Sequence, residues 1–332
     1  MKPRGLAMER TVGVILAAGE GQRMGPVAKH FAKSALPICN EPLVVGHLRQ
    51  LAAAGIRRVL VVVGYGSNQV VRTASLGCPD GVSLTFVEQP KRLGIAHALH
   101  LVEEAAAGAN LVVLLGDTHF IFRDLAAGLA LLSSNTEPGT AAVLSVRPVA
   151  DPDLIRRECT VRFDPAGRLV EIREKPSEPF NDLKPCGCYF FGPEIFDAIR
   201  RTPASPLRGE VEISDSIQTL VHMGLSVRGA PTVEWDRNIN FPGDLLTCNL
   251  IELRRRNLPA LVGRNVRVHP EASLVDSVVG DDARIDVPVR LVRSLVLPGT
   301  VLSVPATCTD CILGPGFVLS DCTQGDSVDM PK

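Results

Sequence analysis

The chain has 332 residues, enough for one large and one modest domain, and its 45% hydrophobic and 21% charged content supplies ample core for a globular protein. A net charge of −1 excludes a broad field for nucleic acid, and 4% aromatic residues exclude a base-stacking groove for single strands. Any phosphate recognition is therefore local, built from a few placed groups. The apolar run 12–18 is too short for a membrane span and lacks the layout of a cleaved signal, so no membrane partner is expected. Nine scattered cysteines, an odd number, argue against a disulfide framework and fit a reducing cytoplasm. Cys308 and Cys311 form a C-x-x-C with Cys322 nearby, but no fourth ligand at zinc spacing follows. Small apolar core positions are the expected role.

The first part alternates short β-branched runs with helical patterns, which predicts an α/β fold with a Rossmann-like, mostly parallel sheet flanked by helices. Strands are expected at 12–17, 58–63, 83–87, 111–115 and 140–146. Helices are expected at 43–54, 95–106 and 123–132, with Gly55 and Gly108 where C-terminal caps belong. Two runs within 158–174 surround Asp164-Pro165-Ala166-Gly167, a hairpin turn. A strand at 187–191 precedes a helix opened by Pro193 and Glu194, and 213–223 and 244–256 are the last helices. After Asn257-Leu258-Pro259 the helical period disappears, and short aliphatic groups recur about every six residues: Val262, Val268, Leu274 with Val278-Val279, Ile285, Leu291, Leu295-Val296. This beat predicts a short left-handed parallel β-helix of about three to four coils, at roughly eighteen residues each. Val287-Pro288-Val289 and Val304-Pro305 fall out of step. The expected domains are thus 1–258 and 259–332.

The richest chemical signal follows the first strand, in Leu16-Ala17-Ala18-Gly19-Glu20-Gly21-Gln22-Arg23-Met24-Gly25. A glycine-rich turn leaving a buried strand lets backbone N–H groups converge on an anion. A dinucleotide fingerprint would need glycine at position 24 and a long helix next, which Pro37 and Pro42 forbid. A Walker loop would need Gly-Lys-Ser/Thr, and the chain offers Met24-Gly25-Pro26.

What remains is G-x-G-x-R, then Pro26, then Lys33 and Pro37. Here the sequence resembles the sugar-1-phosphate nucleotidyltransferase family, whose opening reads L-A-x-G-x-G-T-R-x-x-P and continues to K-x-x-x-P. Gly19, Gly21, Arg23, Pro26, Lys33 and Pro37 match without a gap. The resemblance implies a GT-A-like nucleotidyltransferase domain, here with a β-helix appendix. It also implies transfer of a nucleotidyl group from a nucleoside triphosphate to a sugar 1-phosphate, with Mg²⁺ as cofactor and a homo-oligomeric assembly.

Further motifs arrive in the family's order. Gln89-Pro90 and Leu93-Gly94-Ile95-Ala96 are similar to the Q-x-x-P-L-G-T-A region, so Gln89 and Gly94, with Leu16 and Ala18, are expected around the base. A glutamine amide offers a base edge both a donor and an acceptor, although a glutamine at a strand end is usually only solvated. Asp117 ends a strand at the carboxyl edge, where open α/β sheets bind ligands, and holds the place of the family's metal-binding aspartate; a turn or N-cap role is the bland alternative. Glu174-Lys175-Pro176 resembles E-K-P, in which the lysine holds the sugar phosphate. Cys186-Gly187-Cys188 occupies the place of a strand bordering the sugar, with Gly187 beside it. Gly209-Glu210-Val211-Glu212 looks like G-E-L-E, which makes Glu212 an acceptor for sugar hydroxyls or a cap for the next helix. Trp235 to Leu245 resembles W-x-D-I-G-T-P-E-D-L and adds Trp235 to the sugar site. Asn238 then stands where a second metal-ligating aspartate is usual, with Asn240 and Asp236 as fallback ligands. Gln22, Asn238, Cys186 and Cys188 depart from the family's residues. The first two motivate a competing expectation, a non-catalytic scaffolding relative that binds nucleotide sugar. An acyltransferase tail is disfavoured because its only histidine, His269, lies at its start.

Overall fold

The structure, a computed structural model, describes residues 10–64, 67–133, 139–205 and 209–322. Among these residues seven strands form one sheet: β1 (Thr11–Ala17), β2 (Arg58–Val63), β3 (Ser83–Glu88), β4 (Asn110–Leu115), β5 (Thr140–Pro148), β6 (Leu183–Phe191) and β7 (Ser226–Ala230). Their spatial order is β7-β5-β6-β4-β1-β2-β3. β1 pairs in parallel with β2 and β4, β2 with β3, and β5 with β7, while β6 runs antiparallel to both its neighbours. Helices cover both faces, so β2 is a continuous apolar run after Arg58 rather than an alternating one. Side chains of β1 still divide by parity: Val12 and Val14 enter one core, Ile15 and Ala17 the other.

The expected strands stand within a residue or two of where the pattern placed them, except the one expected at 187–191, which begins four residues earlier at Leu183. The expected helix 95–106 divides into Ile95–His100 and Glu103–Ala106. Between them the amide of Val102 bonds back only three residues, to Leu99 O (3.2 Å), and this tighter turn buries Val102 completely. The helix expected from residue 123 begins at Leu125, because Asp124 stays extended and accepts from the Ala127 amide as its cap. A helix at Ser67–Leu76 and a ribbon of Thr118–Phe122 against Val233–Asn238 were not foreseen. None of the nine cysteines forms a disulfide. Among the described residues no helix is long and apolar enough to cross a membrane.

From Ala260 the chain winds into a parallel β-helix. The three strand ladders pair Leu261 with Val278, Arg267 with Arg284 and Leu274 with Leu291, so each coil takes seventeen residues rather than the expected eighteen. The shorter period removes the apparent irregularity, since Pro288 and Pro305 stand one coil apart and in step. It also explains the C-x-x-C. Ser277, Ser294 and Cys311 occupy one corner in successive coils, each giving its side-chain hydrogen to the carbonyl two residues earlier. Cys308 follows Leu274 and Leu291 in the adjacent ladder. Among the described residues no three His, Cys, Asp or Glu side chains are grouped to hold a metal.

Helix α1 (Leu43–Ala53) carries a buried histidine whose chemistry is testable. His47 Nε2 lies 2.9 Å from the Thr118 carbonyl, and burial holds its pKa down at about 4, against 6.5 for an ordinary imidazole. Between those pH values the unfolded chain takes up a proton that the native chain refuses. The contribution of His47 is therefore complete above about pH 6.5 and falls by about 3 kcal/mol as pH drops towards 4. Urea unfolding at pH 7.5 and 4.5 should show a pH-dependent loss smaller by that amount in His47→Gln. Equal losses in both proteins would contradict the assignment.

Candidate active site

The carboxyl ends of β1, β3 and β4 open into a cleft of about 650 Å³. β1 delivers Leu16 at its end, followed by Ala18 and Gly19, all on the cleft wall. Gly21 then takes a left-handed conformation (φ 68°), and the chain turns into a short 3₁₀ segment, Gln22–Lys29, after which a second turn carries Lys33. A side chain at Gly21 would be disfavoured by its positive φ, although its Cβ would meet the Lys33 stem only at an ordinary contact distance of 3.4 Å. Gln22, the departure from the family's loop, is exposed and donates to Glu20 Oε2 at 2.5 Å, outside the cleft wall.

Arg23 lines the cleft and lies over the Phe241 ring, 5.9 Å from its centroid. Lys33 is buried, and its Nζ reaches Asp117 Oδ2 at 2.6 Å and Asn240 Oδ1 at 3.1 Å. Asp117 begins the turn after β4. The ribbon that follows pairs Thr118 with Asn238, and the Ile239 amide donates to the Asp117 carbonyl at 2.9 Å. Residues 121 positions apart are thus neighbours on one wall. Asn238 Oδ1 is buried without a hydrogen-bond partner among the described residues, an arrangement that costs free energy unless a ligand completes it. The next stretch is held rigid: Asp244 Oδ2 accepts from the Asn240 and Phe241 amides at 2.8 Å while Oδ1 accepts from Arg237 at 2.7 Å.

Gln89 follows β3, is nearly buried, and donates from Nε2 towards Gly94 O (3.4 Å), with His97 Nδ1 at 3.2 Å. Gly94 has φ 102°, and a Cβ there would stand 2.5 Å from the Val211 carbonyl, so only glycine permits this loop to close on the 210–212 strand-like segment. Glu174, Lys175, Gly187 and Glu212 also line the cleft. Gly187 sits in a bulge where β6 gains residues against β5. Glu212 precedes the helix Ile213–His222, but its side chain makes no cap bond, so the capping role is not realised and the carboxyl faces the cleft.

Two expectations are corrected by the geometry. Trp235 does not line the cleft. It is buried with Met24, Val27 and Ile121, edge-on to His119 at 6.1 Å, because alternate residues of Val233–Asn238 face opposite ways. The position two before Asn238, where the W-x-D pattern has tryptophan, is Asp236, and a one-residue offset on a strand reverses a side chain. Asp236 is also not available as a fallback metal ligand. Its Oδ1 accepts from Arg147 Nε at 2.5 Å and its Oδ2 from Lys184 Nζ at 2.7 Å, and Lys184 also pairs with Glu158. Arg147 and Lys184 are cross-strand partners on β5 and β6, and two buried cations there require the acid between them. This cluster, with Arg92 and Arg157 on the cleft wall, was missed by sequence reasoning. Isolated arginines and lysines carry no periodic or motif signal, and the pairing depends on sheet register.

Comparison with known proteins bears on the family and the fold. A family model described as nucleotidyl transferase matches residues 12–235. A glucose-1-phosphate thymidylyltransferase of Streptomyces antibioticus is 31% identical over 236 residues, 71% of this chain and 64% of that enzyme. The chain thus spans about two thirds of the length of that relative. A UTP–glucose-1-phosphate uridylyltransferase of Haloferax volcanii is 31% identical over 231 residues, 70% of this chain and 92% of the relative. The structure of a UDP-glucose pyrophosphorylase complexed with UDP-glucose shares the fold, with a TM-score of 0.64 at 18% identity, covering 74% of this chain and 99% of that one. The glycine-rich turn, the acid after β4 and the matched span together identify the chain as a member of the sugar-1-phosphate nucleotidyltransferase family.

Proposed function

We propose that this chain transfers a nucleotidyl group from a nucleoside triphosphate to a sugar 1-phosphate, giving a nucleoside diphosphate sugar and pyrophosphate. The observation that carries the reading is the convergence of Arg23, Asp117 and Asn238 on one cleft, with Lys33 bonded to Asp117, from three separate parts of the chain. The sugar-phosphate oxygen attacks the α-phosphorus in line and pyrophosphate leaves, a reaction that needs positioning and charge neutralisation more than covalent help. Arg23 and Lys33 neutralise the β- and γ-phosphates, where charge gathers on departure. Gly19 and Gly21 admit the phosphates to backbone N–H groups, and Gln89 and Gly94 bound the base. Lys175 holds the attacking phosphate, while Glu174, Gly187 and Glu212 border the sugar.

Mg²⁺ fits the oxygen donors present: the Asp117 carboxylate, in the turn before the ribbon, and the unpartnered Asn238 Oδ1, on the strand paired to it, line the same cleft, and a cation that keeps water and substrate phosphates as its other ligands needs no larger protein cage. When bound, it supplies positive charge to the α-phosphate and the attacking phosphate. Asn240 already accepts from Lys33, which favours Asn238 over it as the second ligand.

A matrix of four nucleoside triphosphates against common sugar 1-phosphates, read by pyrophosphate release, tests the function. At least one pair should turn over with the purified chain, and chelation should stop it. Tight binding of a nucleotide sugar with no turnover in any pair would instead establish a scaffolding relative.

A further inference from the structure

The segment that carries Arg23 and Lys33 has little structure of its own. Between β1 and α1 the chain has only two short 3₁₀ turns and a two-residue strand pair, so few ladder hydrogen bonds hold it. Its stability rests on burying Met24, Val27, Leu36 and Ile38. These four residues do not pack only against the α/β layers. They share one core with Leu297 and with Val278, Leu295 and Ile312, the outward-facing row of one β-helix wall, whose neighbours Val279, Val296 and Leu313 fill the coil interior.

Two further contacts fasten the same segment to the appendix. Asn40 donates from Nδ2 to the Val279 carbonyl at 2.9 Å. At the far end, the last strands of the β-helix fold back as the hairpin Ile312–Gly314 and Phe317–Leu319, and Phe317 stacks on His30 with ring centroids 5.8 Å apart and planes 27° apart. His30 immediately follows the 3₁₀ turn that begins beside Arg23. The hairpin therefore closes against the back of the turn whose front faces the cleft.

We propose that the β-helix is a positioning element for the triphosphate: its wall and its terminal hairpin, through Phe317, hold residues 22–38 in the geometry that presents Arg23 and Lys33. The proposal rests on the functional reading above for what those two cations bind, but the bracing itself is independent of it. A loosely held turn places charge less accurately, and displacement of about 1 Å in a positioning group costs up to about a hundredfold in rate. Phe317 touches no reacting group, so its effect passes wholly through the turn.

Phe317→Ala and Phe317→Leu in the full chain test this in two ways. Without any substrate, amide hydrogen exchange over 22–38 should quicken by about tenfold in Phe317→Ala, with the strands β1, β2 and β4 unchanged. Phe317→Leu, which keeps apolar bulk and is the safer variant for folding, should show the same pattern in weaker form. In the pyrophosphate assay the KM for the triphosphate should rise about tenfold while that for the sugar 1-phosphate moves less than about twofold. Unchanged exchange over 22–38 in both variants, or equal quickening in the sheet, overturns the proposal, as does an equal rise in both KM values. If exchange responds as stated and no substrate pair turns over, the bracing stands and the functional reading alone fails.

Discussion

Asp117→Asn is expected to lower turnover by about a thousandfold or more, near 4 kcal/mol of lost transition-state stabilisation. The replacement is isosteric but removes the carboxylate that adjoins the Thr118–Asn238 pair, where the Asn238 oxygen is orphaned. It also weakens the charge-assisted bond that fixes Lys33 Nζ at 2.6 Å. On the proposed function a metal ligand and the anchor of Lys33 are thereby lost together, so the effect exceeds that of an ordinary hydrogen bond. Folding should survive, because the Asp117 side chain is 28% exposed and its backbone bond from Ile239 is retained. Thermal melting should move by no more than about 2 °C, which separates a chemical from a structural loss. A near-native rate would remove Asp117 from the reaction.

The largest expected effect on stability comes from Asp236. Lys184 is fully buried, and burial alone would depress its pKa; Asp236 and then Glu158 outweigh it and hold the ammonium above its ordinary value. Asp236→Ala removes the acid shared by Lys184 and Arg147 and leaves two cations in the interior facing one remaining carboxylate. Breaking such a pair from one side costs about 3–5 kcal/mol, far more than the pair contributes over an apolar replacement. Urea denaturation at neutral pH measures this directly. A loss below about 1 kcal/mol would show that water reaches Lys184 and that the cluster is not the desolvated network described here. Because Asp236 and Glu158 also line the cleft, a milder variant, Asp236→Asn, should reduce sugar affinity before it unfolds the protein.

The contrast between Asp236 and Trp235 shows how far the chain could be read without its fold. Gly19, Gly21, Arg23 and Lys33 lie within fifteen residues, and their spacing is set by local turn chemistry, so the glycine-rich turn beside the cleft was legible directly. Gln89, Gly94 and Asp117 follow strand ends, and strand ends follow hydrophobic runs; these too could be placed, because the run Leu111 to Leu115 is short, apolar and bounded by Gly116. The β-helix was visible as a six-residue beat, although its seventeen-residue coil was not, since one residue per coil disappears into corners held by Ser277, Ser294 and Cys311.

By itself, then, the sequence determined the layer architecture, the glycine-rich turn and the acid at the sheet edge, because each is written in contacts between residues near one another in the chain or in the periodicity of burial. Tertiary structure alone decided which face Trp235 and Asp236 present, that Arg147 and Lys184 share one acid, and that the β-helix packs behind the turn bearing Arg23. Those outcomes depend on strand register and on surfaces meeting across more than two hundred residues, and no local pattern encodes the distance between side chains that only folding brings together.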